Sequence, residues 1–212
     1  MPDAELSSLE APADHPAPTP HRKRPKPGER RVQILQALAT MLEQPGAERI
    51  TTAALAARLD VSEAALYRHF ASKAQMFEGL IEFIEQSVFT LVNQIGEREP
   101  LGTQQAAKTI AMLLQFAEKN PGMTRVMVGD ALVFENERLQ QRMNQFFDKI
   151  EATLKQSLRS ATGDGSTTPS LDAQVRASML TAFAVGRLQR FARSGFKRAP
   201  SEHLEASLAR MI

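Results

Sequence analysis

Apolar residues along most of this chain recur at three- and four-residue spacings, and no stretch alternates long enough to read as a strand. Val32, Leu35, Leu38, Ala39 and Leu42 form one such series, predicting an amphipathic helix that begins near Glu29 and stops before Pro45-Gly46. Two short helices are predicted at about 51–58 and 62–69. A long one starts at Ser72, where Ser72, Lys73, Ala74 and Gln75 have the form of a capping box. Its stripe of Phe77, Leu80, Ile81, Ile84, Val88, Leu91, Val92 and Ile95 keeps one face apolar, while Met76 and Phe83 lie off it. Further helices are expected at 103–119, 122–132, 136–160, 171–194 and 201–211, bounded by Pro100, Asn120-Pro121-Gly122, the loop from Gly163 to Pro169, and Pro200-Ser201. Asn120 before Pro121 suits an N-cap followed by a first helical turn. The expectation is an all-α chain of about nine helices.

Composition narrows the class. Seven of the twelve prolines fall within residues 1–27, so residues 1–28 are expected to be a disordered tail unable to bury enough apolar surface to order itself. Nowhere do 18 apolar residues run uninterrupted, which argues against a membrane span, and the acidic, proline-rich start is unlike a secretory leader. The absence of cysteine excludes disulfides and thiolate metal sites and fits a cytoplasmic protein. His15, His21, His69 and His203 have no partner at i+4 and no carboxylate arrangement suited to a metal or a general base. Gly163-Asp164-Gly165 reads as a connector, not a phosphate loop. No metal, cofactor or enzymatic chemistry is expected.

The informative stretch is Ile50 to Phe70. Leu55, Ala56 and Leu59 give the first short helix a small apolar face, and Val61, Ala65, Leu66 and Phe70 do the same for the second. Ala56 and Ala65 are small where two steeply crossed helices nearly touch. Thr51 or Thr52 is placed to cap the first helix and Ser62 the second, with Glu63 at the positive end of its dipole. The side chains left outside are Thr51, Thr52, Ser62, Glu63, Ala64, Tyr67, Arg68 and His69, with Lys73 just beyond. Such a face suits a recognition helix, whose first half enters the major groove while flanking hydroxyls and cations hold phosphates. A helical hairpin with a wet face is the plainer reading of the same pattern. Charge leans toward DNA: residues 21–73 hold ten Lys/Arg against five Asp/Glu, so this segment attracts polyanions. The run from Arg22 to Lys26 would add affinity and salt dependence. Three units follow: a tail at 1–28, a reader at 29–73, and a helical domain at 74–212, for which dimerisation and partner binding are implied by the resemblances given next.

The segments Ile50 to Ala56 and Val61 to Phe70, then Ser72-Lys73 and Met76-Phe77, resemble the DNA-binding domain of the TetR family of regulators. The resemblance implies a TetR-like fold and a homodimer that reads a palindromic site on double-stranded DNA. Two departures are visible: Asp60 stands where the family has a turn glycine, and Ala71 where it has a proline. Asp tolerates a left-handed backbone better than most residues. On the predicted helix 171–194, Leu171, Val175, Met179, Ala182, Phe183 and Gly186 share a side, and with Leu204 and Leu208 they are either internal core or a dimer seam. The resemblance favours the seam.

In the second domain, Leu80 to Glu85, Asn120 to Arg125, Ala131 to Glu135, Arg138 to Gln140, Asn144 to Glu151, Arg190 to Ser194 and Phe196-Lys197 resemble the nucleoid occlusion branch of that family. This second resemblance implies a nucleoid-associated protein that contacts the division GTPase FtsZ and blocks its assembly over unsegregated chromosome. The off-stripe Phe83 is either covered by another helix or a contact surface, and the resemblance favours an FtsZ-contacting groove of Phe83, Lys119 and Asn120. The alternative is a transcriptional repressor released from its operator by a small ligand, in a cavity lined by Met112, Leu113, Phe116, Met127, Phe134, Phe146 and Phe147.

Overall fold

The computed structural model describes residues 28–44, 50–161 and 169–212. The predicted tail with its basic run, the Pro45-Gly46 stop and the Gly163-Asp164-Gly165 connector lie outside them. The described residues are all-α. In chain order the helices are α1 (Glu29–Leu42), α2 (Thr52–Arg58), α3 (Glu63–Tyr67), α4 (Lys73–Arg98), α5 (Gly102–Lys119), α6 (Pro121–Met127), α7 (Glu137–Ala161), α8 (Pro169–Arg193) and α9 (Leu204–Leu208), with a 3-10 turn at Asp130–Leu132.

The first three helices and the start of α4 share a small core of Ile34, Leu38, Leu42, Leu55, Leu66, Phe70, Met76 and Phe77, all essentially inaccessible. Local caps set their boundaries. The hydroxyls of Thr51, Ser62 and Ser72 accept the N–H groups of Ala54, Ala65 and Gln75, satisfying donors that a helix start leaves open. Gln75 completes the box one residue early, its side-chain oxygen accepting the Ala71 N–H at 2.8 Å. A proline at 71 would lack that donor.

The body is built on α5, α7 and α8, whose Leu113, Leu114, Phe146, Ile150, Leu154, Ala177, Leu180 and Leu188 are fully buried. Phe146 meets Phe89 and Phe147 edge-on, at ring centroid distances of 5.6 and 5.1 Å. Gly102 lets α5 start directly against α7, because a Cβ there would fall on the carbonyl of Ser157. Head and body join where α1 crosses α6. A Cβ on Gly122 would fall on the Ala39 carbonyl, so glycine sets how closely the two units approach. Ion pairs fasten α4 to α7: Arg138 to Glu78, and Arg142 to both oxygens of Glu85. The hydrogen bond to Glu85 raises the Arg142 pKa further above its ordinary value.

Several expectations are corrected. The helix predicted over 122–132 ends at Met127, because Gly129 takes a left-handed φ of 85° and the chain closes a 3-10 turn through Leu132 N–H to Gly129 O. Asn120 does not cap α6 with its side chain; its amide donates backward to the Phe116 carbonyl at 2.7 Å and closes the end of α5. The final helix shrinks from 201–211 to Leu204–Leu208, since His203 is left-handed (φ 53°) and turns flank it. Met76 is buried although it lies off the apolar stripe of α4, because the reader packs over that end of the helix. Val32 and Leu91, assigned to apolar stripes, are exposed.

Candidate nucleic-acid interface

Between α2 and α3 the chain reverses through Leu59, Asp60 and Val61. Asp60 is left-handed at φ 54°, as its replacement of glycine requires. The Val61 N–H donates back to the Ala56 carbonyl, which closes the turn. Ala56 is buried at this crossing while Ala65 keeps partial exposure.

The side chains singled out in the sequence emerge on one polar face. Thr51, Ser62, Glu63, Ala64, Tyr67, Arg68 and His69 are exposed, and Thr52 is half-buried. Three of them form a small network. The Thr52 hydroxyl donates to Glu63 Oε2 at 2.5 Å, and the Tyr67 hydroxyl donates to Thr52 Oγ1 at 3.4 Å. This chain ties the start of α2 to both ends of α3 and limits the rotamers of Tyr67 and Glu63 before any ligand arrives. Each tethered group keeps acceptor capacity for an amino donor on a base edge: carboxylate lone pairs on Glu63 and an acceptor oxygen on Tyr67.

Lys73 and Arg31 are arranged in ways that local spacing did not indicate. Lys73 sits at the first position of α4, but its ammonium pairs with Glu135 at 2.5 Å and lies 5.7 Å from the Phe77 ring centre. Arg31 donates from Nη1 to the His69 carbonyl at 2.6 Å, with its guanidinium 4.1 Å above the Phe70 ring. It therefore closes the C-terminal end of the α3 turn from α1. No sequence signal announces a contact across 38 residues.

The other predicted surfaces divide. Leu171, Val175 and Met179 stand on one side of α8 with about half their surface exposed, and Ala182 is exposed beside them. Phe183 and Gly186 are half-buried, with the Arg187 guanidinium 4.9 Å above the Phe183 ring and open space where a Gly186 Cβ would project. Leu204 and Leu208 belong to the chain's own core and line the clefts between α9 and α5, so they do not continue the α8 surface. Phe83 is 47% exposed in the middle stretch of α4. Lys119 is exposed at the α5–α6 turn, where the Asn120 amide faces inward. The residues suggested for a ligand cavity do not gather around one space. Leu113 and Phe146 are sealed in the core, Phe134 is 59% exposed, and an open cleft of about 360 Å³ takes only Met127 and Phe147 from the group.

Among the described residues no group of three or more His, Asp or Glu is positioned to hold a metal ion, and no helix is long and apolar enough to cross a membrane.

A capped pair of short helices with a polar outer face, mounted on a helical body through a long α4, defines a DNA-binding regulator of the TetR class. Residues 34–80 match the family described as bacterial regulatory proteins, tetR family. Residues 104–211 match the SlmA-like "Tetracyclin repressor-like, C-terminal domain". The chain belongs to the SlmA family of nucleoid occlusion factors. It is 51% identical to the nucleoid occlusion factor SlmA of Idiomarina loihiensis, across 84% of this chain and 90% of that protein. The SlmA of Aliivibrio fischeri is 52% identical across 84% and 92%. Among solved structures, a TetR transcriptional regulator from Legionella pneumophila superposes with a TM-score of 0.68 at 16% identity, covering 88% of this chain and 98% of that one. The regulator FadR from Bacillus subtilis, in complex with stearoyl-CoA, gives 0.65 at 14%, covering 85% and 97%. Those two likenesses concern the fold.

Proposed function

We propose that this protein binds palindromic double-stranded DNA as a homodimer and, once bound at chromosomal sites, antagonises FtsZ assembly over the nucleoid. The observation that carries the DNA-binding part is the tethered Tyr67–Thr52–Glu63 face of α3, exposed on a reader fixed to the body. Thr51, Ser62, Arg68 and His69 flank it for phosphate contacts, with Ala64 leaving room for a base edge. The protomers pair through the exposed Leu171, Val175, Met179 and Ala182 of α8. An unpartnered apolar stripe of this kind gains by pairing with its symmetry mate, and two readers then meet half-sites a helical turn, or a multiple of it, apart.

The FtsZ part rests on the similarity to SlmA proteins in both domains. Phe83 and Lys119 supply an exposed apolar group and a cation for the contact, and Asn120 holds the turn beside Lys119. The protein then acts in the cytoplasm, on the nucleoid. Sedimentation of FtsZ polymers tests the coupling. With protein and its duplex together, the polymer mass is expected to fall well below that with protein alone, and Phe83→Ala should restore it without weakening DNA binding. A polymer mass indifferent to the duplex contradicts the proposal.

A further inference from the structure

Glu135 lies on the connector between the 3-10 turn Asp130–Leu132 and α7, far in sequence from the DNA face. Its carboxylate pairs with the ammonium of Lys73 at 2.5 Å, and the side chain keeps only 9% of its surface exposed, against 30% for Lys73. Lys73 is the cation next to α3 from which a phosphate contact is expected. One ammonium therefore faces two anions, a nearly buried carboxylate in the body and the phosphate backbone outside.

We infer that Glu135 is an affinity-setting residue that competes with DNA phosphate for Lys73, so that seating the reader on a duplex loosens the 133–136 connector of the body. The inference rests on the DNA-binding reading above. A carboxylate that loses its partner at 9% exposure does not stay where it is, because an unpaired charge in a poorly solvated site is strongly disfavoured. It regains water only if its segment moves. Ala131 and Leu132 anchor the 3-10 turn in the core, while the four residues after it, Val133 to Asn136, are exposed or half-buried, with the Glu135 N–H bonded locally to the Leu132 carbonyl. Val133 and Phe134, next to Glu135, are about 60% exposed, so a shift would rearrange an apolar surface beside the reader. The pairs Arg138–Glu78 and Arg142–Glu85 follow along α4 and α7, and keep the rest of that seam closed while the connector moves.

The test uses the full-length protein and a duplex that it enriches from a random-sequence library. Glu135→Gln removes the competing charge and keeps the shape, so its Kd for the duplex should be about three- to tenfold lower than that of the wild type. In a Lys73→Gln background the same change should have no effect. A purely structural pair predicts the opposite, since loss of the pair would loosen the reader and weaken binding. Equal or weaker binding by Glu135→Gln overturns the inference, while failure of the wild type to enrich any duplex overturns the DNA reading beneath it. A second readout does not depend on that variant's stability. The chain has no tryptophan, so Phe134→Trp carries the sole indole. Its emission maximum should shift on saturation with the duplex and stay fixed when Lys73→Gln is saturated too. An unmoved maximum in the Lys73 protein also overturns it.

Discussion

Met179→Asp is expected to convert the protein from dimer to monomer and to abolish tight binding to a palindromic duplex. Met179 is 52% exposed on α8, between Val175 at 49% and Ala182. In a two-fold seam the substituted carboxylate is buried twice, once from each protomer, among the apolar side chains of Leu171, Val175 and their copies. Burying an uncompensated charge costs at least ~3 kcal/mol, which weakens association a hundredfold or more. DNA binding follows, because a lone reader contacts one half-site and loses the gain from linking two. Analytical ultracentrifugation reads the first effect and a half-site against full-site titration reads the second. A variant that stays dimeric at micromolar concentration places the dimer elsewhere on the molecule.

Gly122→Ala should lower the melting temperature of the protein by roughly 2–12 °C. The methyl group would meet the Ala39 carbonyl of α1, which is backbone inside a helix, with Glu43 Cγ 3.3 Å away. Neither helix can yield without moving the joint between reader and body. Overpacking of this kind costs about 1–3 kcal/mol, and a chain of this length loses roughly 2–4 °C per kcal/mol. Gly96→Ala is the matched control: it sits in α4 with open space around its Cβ position, and alanine there should stabilise by about 0.5–1 kcal/mol. Calorimetry on the pair separates them. Equal melting temperatures for Gly122→Ala and the wild type would mean that α1 and α6 do not approach this closely in solution.

The reader was legible in the sequence because its determinants are local. Thr51, Ser62 and Ser72 cap helices that start within a residue of them, and Asp60 marks a left-handed turn by being a short polar residue where glycine is usual. The contacts that hold the reader in place were not legible. Arg31 reaches the His69 carbonyl and Lys73 reaches Glu135 through the folded chain, and no spacing rule joins such distant positions. Helical periodicity has a related blind spot. Met76 and Phe83 stand seven residues apart on nearly the same azimuth, yet one is sealed and the other open, because periodicity gives a residue's direction and not the length of helix that a neighbour covers. Leu204 and Leu208 illustrate the same limit, since an apolar stripe does not say whether its own chain or another covers it. Chain breaks at single residues were missed for a different reason. The turn at Gly129 replaces a helix that the apolar pattern would have continued, and one glycine is a weak signal against that pattern.

The most direct measurement is a competition at physiological salt between the duplex that this protein enriches from random sequence and a scrambled duplex of equal length and composition. Specific recognition by α3 predicts at least a thousandfold preference for the enriched duplex, with Tyr67→Ala reducing the preference while the fold remains intact by circular dichroism. Equal binding to the two duplexes would contradict the account, since the polar face from Ser62 to His69 would then be attracting phosphate without reading sequence.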